Sequence, residues 1–374
     1  MKHYKLSDIV IEINERENDP SSSKYDRFVG LEHYVSGDVI IRNYGSTELL
    51  GSSMKVFRAG DVLVARRNVY LKRAATVDFD GLTSGDSIVL RAKSELFGKI
   101  LPFILNTDEF WDYADKYSDG TMSKRLSPKV LMQYEFDLPD DDKLAQLVDI
   151  LWASNDAKES YRKLLHATDD LVKSQFIEMF GSPVLLDKGW ETKTIAEVAS
   201  TQLGKMYNEK RQTGKEAYLY LANRNLQWFQ FDFSDLRKMD FDPVDRKKYE
   251  LRDGDLLVCE GGEIGRCAVW HEEISDCYMQ NAIHRVRCNQ KLILPDFLGY
   301  VLYYHAQENG FSDIVGGKAT IAHLPADKLR TMKIPVPPID TQSSFVSLVK
   351  QSDKSKYLDH IQTYALVKGG KCCA

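Results

Sequence analysis

Hydrophobic and polar positions alternate between two regimes along the chain. Through residues 1–138 and 184–338, short apolar runs such as AGDVLVA (59–65), DSIVLRAK (86–93), DGDLLVC (253–259) and HRVRC (284–288) stand between Gly, Asp and Asn positions. Runs of Val, Ile, Leu and Tyr bounded this way predict short strands joined by turns. Two short helices are expected among them, over PFILNTDEFWDYADKY (102–117) and PDFLGYVLYYHAQENG (295–310), each with a proline near its first turn.

From Asp140 to Gly181 the regime changes. No Gly or Pro interrupts, and apolar residues fall at Leu144, Leu147, Val148, Leu151, Tyr161, Leu164, Leu165, Leu171, Val172, Phe176 and Met179. That spacing predicts one face of a long helix, opened by acidic residues that suit its N-terminal dipole and closed by GSP (181–183). At ~1.5 Å per residue, about 40 residues make a rod of roughly 60 Å. A second run begins after PVPPIDTQ, with Phe345, Val346, Val349, Leu358, Ile361 and Ala365, and stops near Gly369. A helix this long cannot satisfy its own apolar stripe, so an antiparallel coiled coil of the two is expected. Two amphipathic helices packed on their own globules are the alternative.

The two regimes recur in the same order. KLSDIV (5–10) answers TIAEVA (194–199) at an offset of 189, and Asp61 of AGDVLVA answers Asp255 of DGDLLVC at 194. SDGTMSKRLSP (118–128) answers VGGKATIAHLP (315–325), with Gly120 and Gly317 offset by 197. EFDLPDDDKLAQLVDIL (135–151) answers KIPVPPIDTQSSFVSLV (333–349), with Pro139 and Pro337 offset by 198. A creeping offset is what two copies of one fold produce when their elements are kept and their loops change length. The expected fold class is therefore α/β (α+β) with internal duplication: globules over 1–138 and 184–338, a long helix over 139–183, and a shorter helix with a tail over 339–374.

Composition permits this reading. With 43% hydrophobic and 11% aromatic residues, 374 residues can bury a sizeable core in two or three domains. The net charge of −5 does not by itself point to a polyanionic partner. The 140–181 stretch, however, carries nine acidic and five basic residues, hence −4, which leaves −1 for the remainder. Basic clusters there are not offset by an acidic background.

The clearest cluster is Arg66, Arg67, Lys72 and Arg73 around Tyr70. Ser84, Lys124 and Arg125 lie in other turns of the same copy. In the second copy stand Lys205, Arg211, Asn223, Arg224, Asn225, Gln227, Gln280, Asn281 and Lys318. Cations reach phosphates, whereas Asn, Gln and Arg pair bidentately with adenine and guanine edges, so these residues are candidates for duplex DNA. Taken one at a time, each is also an ordinary surface charge or turn residue; the reading rests on their clustering at matched places.

Catalytic signatures are missing. VGGKAT departs from GxxxxGK[ST], no GxGxxG follows a strand, and DFDP (240–243) lacks the second proline of an amino-methyltransferase motif. The histidines make no HExxH, and EGGEIG (260–265) has two carboxylates without a supporting acid and lysine. Cys259, Cys267, Cys277 and Cys288 form no CxxC, so neither zinc nor a disulfide framework is expected, and Lys371 stands where a C-a-a-X box needs cysteine. Without an apolar signal core or an apolar run near 18 residues, the chain reads as cytoplasmic.

Two α/β copies, each followed by a proline-rich stop and a helix, resemble the specificity subunit of type I restriction–modification enzymes. The resemblance spans nearly the whole chain and is most specific in FVGLEHYVSGDVIIRNYGS (28–46), FRAGDVLVARRNVYLKRAATVDFDGLTSGDSIVLR (57–91), LVKSQFIEMFGSP (171–183) and MKIPVPPIDTQ (332–342). It implies that the globules are target recognition domains, each reading half of a split double-stranded DNA target. The helices would space the half-sites and dock two methyltransferase subunits, through Leu144, Leu147, Leu151, Leu165, Phe176, Phe345, Val349, Leu358 and Ile361. Restriction subunits would complete the complex. The chain itself would be non-catalytic, with no metal or cofactor of its own; S-adenosylmethionine, ATP and magnesium would serve its partners. The C-terminal helix departs from the pattern, being shorter than its mate and ending in VKGGKCCA. An autonomous DNA-modifying enzyme and a paired protein-interaction scaffold remain the alternatives.

Overall fold

The apolar runs centred on Val62–Ala65 and Asp255–Cys259 are buried at every position, so each needs strands on both flanks and packing on both faces. In the computed structural model, which describes residues 1–121, 123–312 and 323–352, both obtain them in the same way. The chain divides into two compact units, Met1–Glu159 and Ser160–Ala374. Unit 1 contains an antiparallel sheet in the order Val10–Ile13, Ser87–Ala92, Val62–Ala65, Ala74–Thr76. Unit 2 repeats it as Ala199–Leu203, Ile283–Cys288, Asp255–Cys259, Cys267–Val269.

The repetition extends outward. A two-stranded sheet pairs Lys2–Lys5 with Glu135–Leu138 in unit 1, and Thr192–Thr194 with Lys333–Pro335 in unit 2. A parallel pair joins Arg27–Val29 to Gly81–Thr83, and its counterpart joins Ala217–Leu221 to Cys277–Met279.

Each Gly-Asp turn ends in a buried carboxylate that holds the sheet. Asp61, 1% exposed, accepts from Arg91 Nε at 2.7 Å and Nη2 at 2.8 Å, and from the Arg58 backbone N–H. Asp255, also 1% exposed, accepts from Arg287 Nε and Nη2 at 2.7 Å each, and from the Arg252 N–H. Gly60 and Gly254 precede them with φ of 89° and 82°, a left-handed conformation that favours glycine. Bidentate hydrogen bonding to Asp61 is the main reason the Arg91 guanidinium is held above its ordinary pKa.

The long helix runs Asp141–Phe180, inside the expected 139–183 by two residues at its start and three at its end. It stops because Gly181 turns left-handed, φ 75°, where a Cβ would meet Asp187 Oδ1 at 2.2 Å. Its apolar positions do not form one seam. Leu144 and Val148 enter the core of unit 1, while Val172, Phe176 and Phe180 enter that of unit 2 against Phe297 and Phe345.

One expected helix is two. Glu95–Ile104 ends where Asn106 Nδ2 turns back to the carbonyls of Pro102, at 2.7 Å, and Ala74, at 2.6 Å. Asp108–Tyr117 then starts afresh, with the Thr107 hydroxyl accepting from the Phe110 N–H. Pro102 therefore lies inside the first helix rather than at its start. The other expectation fits: Pro295 opens Pro295–Gln307. A further helix occupies 339–352; Leu358 and Ile361, expected on the same helix, lie outside the described residues.

Inside unit 2, His305 is 8% exposed and packs on Phe311, and its Nδ1 has no hydrogen-bond partner among the described residues. Burial pushes its pKa down to about 4. His284, buried and bonded to the Leu324 carbonyl, is lowered for the same first reason. A histidine neutral when folded takes up its proton on unfolding below about pH 6.5. Stability is thus retained above that pH and lost as pH falls toward 4. Denaturant unfolding at pH 7 and 4.5 should show unit 2 weakened by about 2 kcal/mol at the acid end. His305→Gln should remove much of that difference; an unchanged pH dependence in this variant would exclude His305 as its source.

Candidate nucleic-acid interface

The stretch Arg66 to Arg73 leaves the central strand of unit 1 and folds into a short 3-10 turn, Val69–Leu71. Asn68 and Lys72 flank it in left-handed conformations, φ 55° and 47°. Val69 is the anchor, 1% exposed within the core, and Tyr70 projects at 64% exposure.

The glycine loop 118–127 lies beside this turn. Arg67 and Arg125 form an antiparallel bridge, the Asn68 N–H reaches the Lys124 carbonyl at 2.9 Å, and the Leu126 N–H reaches the Arg66 carbonyl at 2.8 Å. Residues distant in sequence, Arg66, Arg67, Tyr70, Ser84, Lys124 and Arg125, thereby meet at one edge of the unit. Asp86 joins them by accepting from Arg125 Nη2 at 2.9 Å, with Arg67 Nη1 at 3.7 Å. Nothing in the sequence reading singled out Asp86, because an acid in a Ser-Gly-Asp turn is an ordinary turn residue.

Two cations of the 66–73 cluster hold the loop in place. Arg73 donates to the carbonyls of Leu31, at 3.0 Å, and Arg67, at 2.9 Å, and its pKa is lowered chiefly by burial. Lys72 pairs with Asp108 at 2.8 Å, and that hydrogen bond raises its pKa. Lys124 likewise pairs with Asp115 at 2.6 Å. Ser84 Oγ accepts from the Asp86 N–H, so it too shapes its turn.

Unit 2 carries a matching loop pair with different side chains. Gly261 bridges His323 where Arg67 bridges Arg125 in unit 1. Asn223 donates to the Gly261 carbonyl at 2.9 Å, Arg266 donates to the Asn223 carbonyl at 2.8 Å, and Arg266 pairs with Glu263 at 3.2 Å. Trp228 Nε1 donates to the same Glu263. Arg224 is exposed and pairs with Asp235 at 3.0 Å. Gln227, Gln280 and Asn281 are partly exposed.

Two candidates of unit 2 are corrected. Asn225 is 1% exposed: its Oδ1 accepts from the Ala222 N–H, and its Nδ2 donates to the carbonyls of Asp232 and Asp235. With its amide satisfied inside the fold, it has nothing left for a base. Lys205 points inward, its ammonium bonded to Asp245 and the Asp240 carbonyl under the Phe241 ring. Beside it the chain requires glycine, since a Cβ on Gly204 would meet the Gln280 carbonyl at 2.3 Å. Arg211 closes a 3-10 turn, Glu209–Arg211, with its side chain outside the described atoms, and Lys318 lies outside the described residues.

The helix residues expected to dock partners are corrected in part. Leu144, Phe176, Phe345 and Val349 are 0–4% exposed in the cores of their own units, where nothing can dock on them. Leu151 and Leu165 are half-buried, and Leu147 is 37% exposed. The exposed apolar side chains of Asp141–Phe180 are Leu147, Ile150, Tyr161, Leu164 and Leu171.

The four described cysteines are free thiols, with Cys259, Cys267 and Cys277 buried; burial raises Cys259 to about 11 and Cys277 to about 12. Among the described residues no group of three His, Cys, Asp or Glu could hold a metal ion, and no helix is long and apolar enough to cross a membrane.

Comparison with known proteins adds to this geometry. Residues 187–365 match the family described as type I restriction modification DNA specificity domain. No curated protein matches the chain in sequence. A solved structure from work on complex assembly and conformational transition of the type I R-M system is similar at 19% identity and TM-score 0.56, over 98% of this chain and 94% of the other. The type I restriction-modification S subunit from M. genitalium is similar at 11% identity and TM-score 0.57, over 99% and 94%. At such identities the likeness is one of fold, and it covers both units.

Proposed function

We propose that this chain, whose residues 187–365 match the family described as type I restriction modification DNA specificity domain, is the DNA-recognition subunit of a type I restriction–modification complex. Each unit reads one half of a split duplex target. The observation that carries this reading is the recurrence of one loop pair on one sheet frame: Arg67 facing Arg125 in unit 1, Gly261 facing His323 in unit 2. A common frame with different side chains at the same place is what two readers of two different half-sites require. Regions 1–138 and 184–338 serve as the target recognition domains. In this reading the exposed cations Arg67 and Arg125, with Arg66 and Tyr70, form the contact edge of unit 1, and Arg224 belongs to that of unit 2.

The helices 139–183 and from 339 onward pair as a coiled coil and dock the methyltransferase and restriction subunits. Exposure along the first supports this. Leu147 and Tyr161 are two heptads apart, as are Ile150 and Leu164, with Leu171 one heptad further. Such spacing is that of a coiled-coil seam. Chemistry belongs to the partners, which use S-adenosylmethionine, ATP and magnesium; this chain supplies the address.

Affinity of the chain assembled with its methylation partners, for duplexes bearing the split target and for random duplex, should fall steeply between low and moderate salt, because phosphate contacts release counterions. A protein scaffold shows no DNA affinity to lose. Methylation or cleavage by the chain alone, given metal and methyl donor, would favour the autonomous enzyme instead.

A further inference from the structure

Asp86 organises two arginines that no other carboxylate holds among the described residues. Its Oδ1 accepts from Arg125 Nη2 at 2.9 Å, its Oδ2 lies 3.7 Å from Arg67 Nη1, and Arg67 Nε reaches Ser123 Oγ at 3.4 Å. Closure of the loops does not depend on these contacts. Backbone bonds between Asn68 and Lys124 and between Leu126 and Arg66 already join them, and bonds between Asp119 and Arg125 close the glycine loop on itself. Half-exposed arginine–carboxylate pairs also add little stability, and the side chains of Arg67 and Arg125 are 48% and 49% exposed. What the carboxylate does provide is orientation. Arg125 spends one Nη2 hydrogen on Asp86 and makes no other side-chain hydrogen bond among the described residues, which leaves its second Nη2 hydrogen and the N–H parallel to it as a two-donor edge.

Resting on the reading of unit 1 as a DNA-recognition domain, we propose that Arg125, and with it Arg67, reads guanine in the half-site of unit 1, with Asp86 as the residue that positions both forks. A phosphate contact needs only a cation, and a lysine serves for it. A planar fork held on one side by a carboxylate presents two parallel N–H donors, which fit O6 and N7 of guanine in the major groove. Unit 2 has Gly261 and His323 at the bridged positions, so its half-site is read by other means. The fork is therefore specific to one half of the target.

The test uses the chain assembled with its methylation partners. The split motif is first determined from the methylated DNA of a host carrying the complex. Binding is then measured against duplexes altered one base pair at a time in both halves. For Arg125→Lys, which keeps the charge and loses the fork, discrimination at one guanine of one half-site should fall about tenfold to a hundredfold. The other half-site should be read as before. Asp86→Ala should relax the same position with an unchanged melting curve, an outcome that a purely structural role for Asp86 does not give. Absence of guanine from the half-site of unit 1, or full discrimination retained by Arg125→Lys, overturns the inference while leaving the proposed function intact. A complex that binds no duplex at all overturns the proposed function, and this inference with it.

Discussion

Asp255→Ala is expected to unfold the central sheet of unit 2, and Asp61→Ala that of unit 1. Each carboxylate is 1% exposed and bonded through both oxygens to a single guanidinium, so truncation strands Arg287 or Arg91 beside a void. Arg91 and Arg287 are 33% and 29% exposed, so solvent offsets part of the stranded charge, and the cost is about 2–3 kcal/mol, below that of a fully buried pair. Whole domains are stable by roughly 5–15 kcal/mol, so the loss is a large share of the total. The backbone N–H groups of Arg58 and Arg252 lose their acceptor as well, which loosens the Gly-Asp turns themselves. Hydrogen exchange read peptide by peptide separates the two effects. Asp255→Ala should raise exchange across 255–259 and 283–288, and Asp61→Ala across 62–65 and 87–92. If either variant exchanged as the native chain does, the pair would not be holding its sheet.

Reversal of charge at Arg66 and Arg67 should weaken DNA binding by the assembled complex on the order of a hundredfold at moderate salt, with the salt dependence shallower by about two counterions. Arg67 is exposed at the edge where the 66–73 turn meets the glycine loop, and Arg66 is fixed through its backbone to Asp86 and Leu126. Lys72, Arg73 and Lys124 are engaged within the fold, so fewer cations are available at this edge than the sequence offers. Arg66 also lies close enough to the buried Lys55 to lower its pKa, after the larger effect of burial. Arg67→Glu alone therefore serves as the control that leaves this buried site untouched. Equal affinity of the native and reversed complexes, at matched melting temperature, would show that DNA contacts another face.

Much of this architecture was legible in residue order. The uninterrupted Asp140 to Gly181 stretch and its acidic start place a helix to within two or three residues of its ends, since helix breakers and dipole preferences are local. The four matched segments found the duplicated frame, because an apolar run between Gly and Asp records its own strand and turn. The break at Asn106 and Thr107 was missed: apolar residues continue through it, and the second carbonyl that Asn106 caps belongs to Ala74, on another strand.

The candidate interface was legible only as an inventory. Arg, Lys and Asn in loops mark where contacts with a polyanion can be made, yet Arg73, Lys205 and Asn225 spend their hydrogen bonds on neighbours 42, 40 and 10 residues away. No local pattern distinguishes such a residue from one facing solvent. The helix shows the same division. Its apolar periodicity is a property of the sequence; which positions enter a core and which remain exposed depends on what each half packs against. Sequence alone determined most of the elements, their repetition and the absence of familiar catalytic motifs, because these follow from neighbours along the chain. Tertiary structure alone decided which cations face outward and that Asp86 stands between Arg67 and Arg125, because those depend on residues that meet only when the chain has folded.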